Sequence, residues 1–287
     1  MYEISNYRNW ENSYTLYTDT LKIVVVPQIG GRVYSIAYNG KEFCRQNKLS
    51  EGKIASPDDN SWLNWGGDFD WVGPQESWNM AGWPPPFELD SGAWNVLSYS
   101  EQSISLQSKP CSLGVRIKKK ISLSGSRVTV KRELENTSDR PVIYGLWNIT
   151  QVSTEGLIII PLRDPKYSTI KVFESQAFDQ WEDLLKNKII ETDYSSDTIN
   201  IRINEKKGSF KIGVVSDVGR IDYTFNDFVM SKIISPSHGV QYPHGCNIEI
   251  YRDEKSGYTE LEQLWESKEL APGDICYSEQ EISFENK

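Results

Sequence analysis

From Tyr14 onward, apolar and polar residues alternate in short runs broken by turn residues, the pattern of antiparallel strands rather than of helices. YTLYTDTLKIVVV predicts two strands about Asp19-Thr20. RVYSIAYNGKEF predicts a hairpin whose Asn39-Gly40 turn suits the positive φ angles of a type I′ turn. Further on, ISLQ, GVRIKKKISL, RVTVKREL and PVIYGLWNITQV are separated by SKP, SGS and ENTSDR. RVTVKREL places Val128, Val130 and Leu134 on one face and Thr129, Lys131 and Glu133 on the other. INIRIN, SFKIGVVS, RIDYTF, CNIEIYRD, YTELEQLW and DICYSEQEISF complete the series. One short helix is predicted over Phe178 to Asn187, with Trp181, Leu184 and Leu185 apolar and Asp179 in the first turn. No repeat, low-complexity tract or linker divides the chain, so the expectation is an all-β fold forming a single β-sandwich-like domain over residues 1–287.

The alternation stops in NSWLNWGGDFDWVGPQESWNMAGWPPPFELDSGAW, which holds six of the ten tryptophans, Trp62, Trp65, Trp71, Trp78, Trp83 and Trp94, among glycines, prolines, amides and carboxylates. An irregular segment of this length is uncommon in a compact domain unless it has a function. Flat indole faces beside Asp68, Asp70, Gln75 and Glu76 suit a carbohydrate, whose C–H faces stack on rings while its hydroxyls take hydrogen bonds. The other reading is a hydrophobic mini-core that holds a long loop together.

A net charge of −9 and a pI of about 5.0 argue against a nucleic-acid surface or an anionic membrane. The basic runs Lys118–Lys120 and Lys206–Lys207 sit beside strand-like segments and read as solvated strand ends or turns. No apolar run approaches a membrane span, and MYEISNYRNWENS lacks the basic start and apolar stretch of a signal peptide, so a soluble, cytoplasmic protein is expected. Cys44, Cys111, Cys246 and Cys276 match neither zinc-ligand spacing nor a disulfide scaffold and read as buried free thiols. The Asp-rich DFD turn has no recognised oxygen-ligand spacing, so no metal is expected, and nothing calls for a cofactor.

Three stretches together resemble the galactose-mutarotase-like superfamily, which includes the aldose 1-epimerases: LKIVVVPQIGGRVYSIAYNGKEF, RELENTSDRPVIYGLWNITQV and YTELEQLWESKELAPGDICYSEQEISF. The tryptophan-rich segment is similar to a poorly characterised branch of that superfamily with a GGD, PQ and WPP pattern. The resemblance spans nearly the whole chain and implies an antiparallel β-supersandwich and a small-molecule carbohydrate as partner. It does not fix an activity, because the fold serves epimerases, lyase domains and binding domains alike. The oligomeric state is not implied.

Mutarotation needs a base for the anomeric hydroxyl proton and an acid for the ring oxygen. The resemblance implies a glutamate base on the strand YTELEQL, hence Glu260 or Glu262, which share a face with Tyr258; Glu249 in CNIEIY is a third candidate near the sugar. Typical aldose epimerases carry their acid as a histidine on the mid-chain strand, where this chain offers Trp147, Asn148 and Gln151 and has no histidine before His238. An amide can bind a ring oxygen but cannot transfer a proton. The acid candidates are therefore His238 and His244, in a late Gly/Pro loop, and Asp68, whose pKa would rise if it packed among Trp65, Phe69 and Trp71. Arg32, directly after the Gly pair, is the basic residue expected nearest the pocket, to hold a carboxylate or a hydroxyl pair, with a surface salt bridge as its other reading. Trp65, Trp71, Gln75, Trp78 and Trp83 are expected to form the wall. An aldose 1-epimerase-like isomerase is the first expectation. A non-catalytic sugar-binding protein is the alternative, and glycoside hydrolysis by a pair such as Asp68 with Glu260 the third.

Overall fold

The computed structural model describes residues 2–58, 62–163, 170–173, 180–193, 197–203 and 208–287. Two antiparallel sheets face each other, one of 12 and one of 10 strands. The first runs Tyr2–Tyr7, Trp10–Tyr17, Leu21–Val26, Arg32–Tyr38, Asp68–Gly73, Val142–Val152, Tyr258–Leu264, Ile248–Asp253, Phe210–Val214, Ile170–Phe173, with Lys41–Glu42 pairing beside Arg32–Tyr38 and Lys268–Leu270 beside Val142–Val152. The second runs Ile190–Asp193, Thr198–Ile203, Gly156–Pro161, Arg220–Phe225, Phe228–Ile234, Ile275–Asn286, Arg127–Asn136, Val115–Ser124, Ser103–Gln107, Asn95–Tyr99. Ile23, Val25, Val72 and Leu261 of the first sheet share a core with Ile117, Val130, Ile221 and Ile282 of the second.

The alternating segments form the strands they predict. Asn39 and Gly40 take φ of 47° and 77° in the hairpin turn, and Val128, Val130 and Leu134 are buried. The helix is shorter than expected, Trp181–Lys186, with Leu184 in the core; Phe178 and Asp179 lie outside the described residues, as do Lys206, Lys207, Asn60 and Ser61. The largest departure is in the tryptophan-rich segment. Asp68–Gly73 is not loop but a strand of the first sheet, buried at every position and lying between Arg32–Tyr38 and Val142–Val152. The reading of Lys118–Lys120 as a solvated end also needs correction. The three lie within a strand, so Lys118 and Lys120 point out while Lys119 points between the sheets. Cys44, Cys111 and Cys246 are buried free thiols and Cys276 is half-buried. Among the described residues no helix is long and apolar enough to cross a membrane.

Candidate functional site

The register of five neighbouring strands decides which side chains can meet. Trp71 pairs with Trp147 and Phe69 with Ile149; Gln151 pairs with Glu260 and Ile149 with Glu262; Glu249 pairs with Glu262, Tyr251 with Glu260 and Asp253 with Tyr258; Lys211 pairs with Tyr251. Side chains paired across strands share a face. The face away from the second sheet therefore carries Trp71, Trp147, Gln151, Glu260, Glu262, Glu249, Tyr251, Asp253, Tyr258 and Lys211. The face toward the second sheet carries Asp68, Asp70, Asn148 and Thr150.

On the outer face lies a cavity of about 350 Å³ lined by Trp62, Trp71, Gln75, Trp83, Trp147, Lys211, Tyr251, Asp253, Tyr258 and Glu260. Its aromatic wall is anchored from behind. The Nε1–H groups of Trp62 and Trp71 donate to the two oxygens of Asp90 at 3.0 and 2.9 Å. Asp90 is bridged at 3.0 Å by Arg32, whose guanidinium also lies 4.0 Å from the Phe69 ring centre. Gly30 makes this possible: at φ 74° it packs so closely on the Asp90 carbonyl that a Cβ would lie 2.0 Å from it. Arg32 is thus neither a ligand for a sugar carboxylate nor a surface ion pair. It is fully buried and holds the wall in place.

Below the cavity, Lys211 Nζ sits 2.6 Å from Glu249 and 3.2 Å from Glu262, and Trp147 Nε1–H donates to Glu262 at 2.7 Å. Burial opposes the charge on Glu249, yet Lys211 and His244 outweigh it and hold this carboxyl well below the usual range. Burial raises Lys211's cost too, and its carboxylate neighbours reverse that, keeping the ammonium charged. Burial, with Glu249 and Glu260 adding to it, pushes the Glu262 carboxyl well above its ordinary range. Glu260, 6% exposed and accepting from Gln151 Nε2 at 2.9 Å, is pushed up to about 7 by burial.

His244 reaches this cluster through a loop seated on two paired glycines. Gly73 and Gly145 are opposite each other, and a Cβ on either would come within 2.6 or 2.7 Å of Pro243. The backbone N–H of Gln75 donates to His244 Nε2 at 3.1 Å, so Nδ1 carries the proton and donates to Glu249 at 2.9 Å. Both ring nitrogens are occupied, and the ring stands edge-on to Trp147 at 4.7 Å. This places His244 beneath the cavity as a brace between Gln75 and Glu249. His238 lies on an exposed loop lining a different hollow, with Arg163, Asp217 and Tyr242.

Asp68 and Asn148 are corrected outright: the pleat of their strands turns both away from the cavity. Asn148 Nδ2 donates to Asp68 and to Asp70, and Thr150 Oγ1–H donates to Asp68 at 2.6 Å. Asp70 is bridged by Lys119 at 2.9 Å and Arg132 at 2.5 Å from the second sheet, and Gln280 donates to Asn148 at 2.9 Å. The sheet therefore separates Asp68 from Glu260, and a hydrolase pair of those two does not form. Trp65 is fully buried with Trp10 and Tyr34, donating to the Lys53 carbonyl, which makes it part of a mini-core rather than of the wall. Trp78 is also buried, stacked on Trp147 behind the surface, while Trp83 is 41% exposed at the rim. Lys211, Tyr251, Asp253 and Tyr258 join the cavity without having been singled out as site residues, although Tyr251 and Asp253 lie two and four positions after Glu249 and so share its face.

Several crystal structures share this fold at low identity. The Slr1438 protein from Synechocystis sp. PCC 6803 is 14% identical with a TM-score of 0.65, 96% of each chain being covered. A galactose mutarotase-like protein from Lactobacillus casei is 9% identical with a TM-score of 0.64, covering 95% of this chain and 100% of that one. A galactose mutarotase-like protein from Clostridium acetobutylicum is 11% identical with a TM-score of 0.63, covering 100% and 99%. The two sheets are thus the antiparallel supersandwich of galactose-mutarotase-like proteins. No curated protein matches the chain by sequence. One family does match it, over residues 12–282, and the chain belongs to that family, described as Domain of unknown function (DUF4380).

Proposed function

We propose that the chain is a carbohydrate-active protein, an aldose 1-epimerase-like isomerase whose sugar occupies the cavity of the outer face. The observation that carries this reading is Glu260: a buried carboxyl pushed up to about 7, opening onto a cavity walled by Trp62, Trp71, Trp83 and Trp147. A general base works best with a pKa near the operating pH, and indole faces suit the C–H face of a pyranose. Gln75 of the PQ pair and Trp83 of WPP line this cavity, so a distinct branch of the superfamily is part of the same proposal.

The strands of Glu260 and Lys211 flank that of Tyr251, two strand spacings or about 10 Å apart at the backbone. A ring lying over Tyr251 then sits between the two groups. Glu260 takes the proton of the anomeric hydroxyl; the C1–O1 bond becomes a carbonyl as the bond from C1 to the ring oxygen breaks. The ring oxygen is stabilised by a hydrogen bond from the Lys211 ammonium and takes its proton, which Lys211 recovers as the ring closes again. Rotation about C1–C2 and the reverse steps close the ring with the other configuration.

A second reading, a non-catalytic sugar-binding protein, is favoured by one observation. His244 has both ring nitrogens occupied and the carboxylates beside Lys211 hold its proton tightly, so neither is poised as the acid opposite Glu260. Magnetisation-transfer NMR of anomer exchange, across free hexoses, pentoses, uronic acids and sugar phosphates, separates the two. Exchange above the buffer rate that Glu260→Gln removes supports the isomerase. Line broadening without exchange supports the binding protein, and neither effect with any sugar refutes both.

A further inference from the structure

The ionisable groups facing the cavity are not evenly matched. Lys211 is the only cation among the lining residues, and it is already bridged to Glu249 and Glu262. The cations nearby are engaged as well. Arg45 donates to Gln151 Oε1 at 3.1 Å and to the Ser256 carbonyl at 3.0 Å while lying over the Tyr258 ring. Lys171 donates to the His244 carbonyl at 3.2 Å, and Arg32 is tied to Asp90. Two carboxyls face the same space. Glu260 receives one hydrogen bond from the Gln151 side chain, and Asp253 receives one from the Ser256 backbone N–H at 3.0 Å and one from its hydroxyl at 3.1 Å. Asp253 and Glu260 stand diagonally on adjacent strands, with the rings of Tyr251 and Tyr258 paired against them.

We propose, on the reading of this cavity as a sugar site, that Asp253 and Glu260 set its specificity: they exclude sugars bearing a phosphate or carboxylate and favour a sugar bearing an ammonium group. An anionic substituent would lose its hydration among carboxyls with no free cation among the described residues to receive it, which is rejection by an unpaired charge. An ammonium group gains a carboxylate partner and the faces of the tyrosine and tryptophan rings.

Tryptophan fluorescence titrations with glucosamine, glucose, glucuronate and glucose 6-phosphate, repeated in the galacto series at neutral pH and low salt, test this. The expected order is amine, then parent sugar, then both anions, each step about tenfold, with Asp253→Asn narrowing every step. Glucuronate or a hexose phosphate binding as well as its parent sugar overturns the proposal. Because a sugar site could itself be absent, the charge is also read without sugar. Caesium should quench the cavity tryptophans more than iodide does, and Asp253→Asn, alone and with Glu260→Gln, should narrow that gap. A gap unchanged in both variants, with the fold verified by near-ultraviolet circular dichroism, overturns the assignment whether or not any sugar binds.

Discussion

One sheet carries buried charge on both faces, and the two faces treat it differently. Toward the second sheet, Asp70 meets Arg132 and Lys119, Asp68 meets Asn148 and Thr150, and Gln280 closes the set. That network is sealed between layers, and its two cations outweigh burial to hold Asp70 well below the usual carboxylate range. On the outer face three carboxyls share one lysine, so a single cation cannot keep all of them ionised. Lys211 and His244 hold Glu249 well below the ordinary carboxyl range, burial and the neighbouring carboxyls push Glu262 well above it, and Glu260, at the cavity edge, falls near neutrality. Balanced charge makes a strut; a shortage of cations makes a group that can exchange a proton.

The sharpest way to break this comparison is Asp70→Ala, which leaves Arg132 and Lys119 buried without their carboxylate. Urea unfolding should show a loss of about 3–5 kcal/mol, the usual result of removing one partner of a buried pair. A loss below about 1 kcal/mol would mean the inner network is not structural. Next in size is the pH dependence of stability. The Glu260 carboxyl has an ordinary value of 4.5 when unfolded and about 7 when folded, so the folded state binds its proton more tightly. Its contribution is complete below about 4.5 and is lost as pH rises through about 7. Glu260→Gln should flatten the fall in stability across that window, seen by denaturant titrations at stepped pH; an identical slope would contradict the assignment.

Glu262→Gln sharpens the contrast with Asp70. Because burial and two neighbouring carboxyls disfavour the charge on Glu262, an amide of the same shape should cost under about 1 kcal/mol despite complete burial. A loss comparable to that of Asp70→Ala would show that Glu262 is ionised. The smallest stability effect is expected at the rim: Trp83→Ala should shift unfolding by about 1 kcal/mol or less, since the ring is 41% exposed, yet weaken sugar binding in fluorescence titrations. Unchanged affinity would remove Trp83 from the site.

How much of this was legible differs between the same two faces. The shared face of Tyr258, Glu260 and Glu262 follows from period-two alternation, and Glu249 was in view on the neighbouring strand. Asp68 and Asn148 were misplaced for one reason. DFDWVG alternates over only four residues and is buried on both sides, and it turns its carboxylates rather than its rings toward the second sheet, so an apolar-inward rule phases its pleat the wrong way. Once it is paired with LWNITQV, Asp68 and Asp70 necessarily fall on the side of Asn148 and Thr150. The aromatic segment was read as either wall or mini-core, and it is divided: Trp62, Trp71 and Trp83 line the cavity while Trp65 fills a core. Arg32 could not be placed because its partner, Asp90, lies 58 residues away in an unpatterned stretch. Lys211 carried no local signal at all; only the order of the strands brings it beside Glu249 and Glu262.

The account rests on Glu260 being the carboxyl that titrates near neutrality, and carboxyl carbon-13 NMR of glutamate-labelled protein across a pH series measures that directly. The resonance that disappears in Glu260→Gln should titrate at about 7. If it titrates instead near the ordinary 4.5, Glu260 is a permanently ionised wall residue and the outer face has lost its working base.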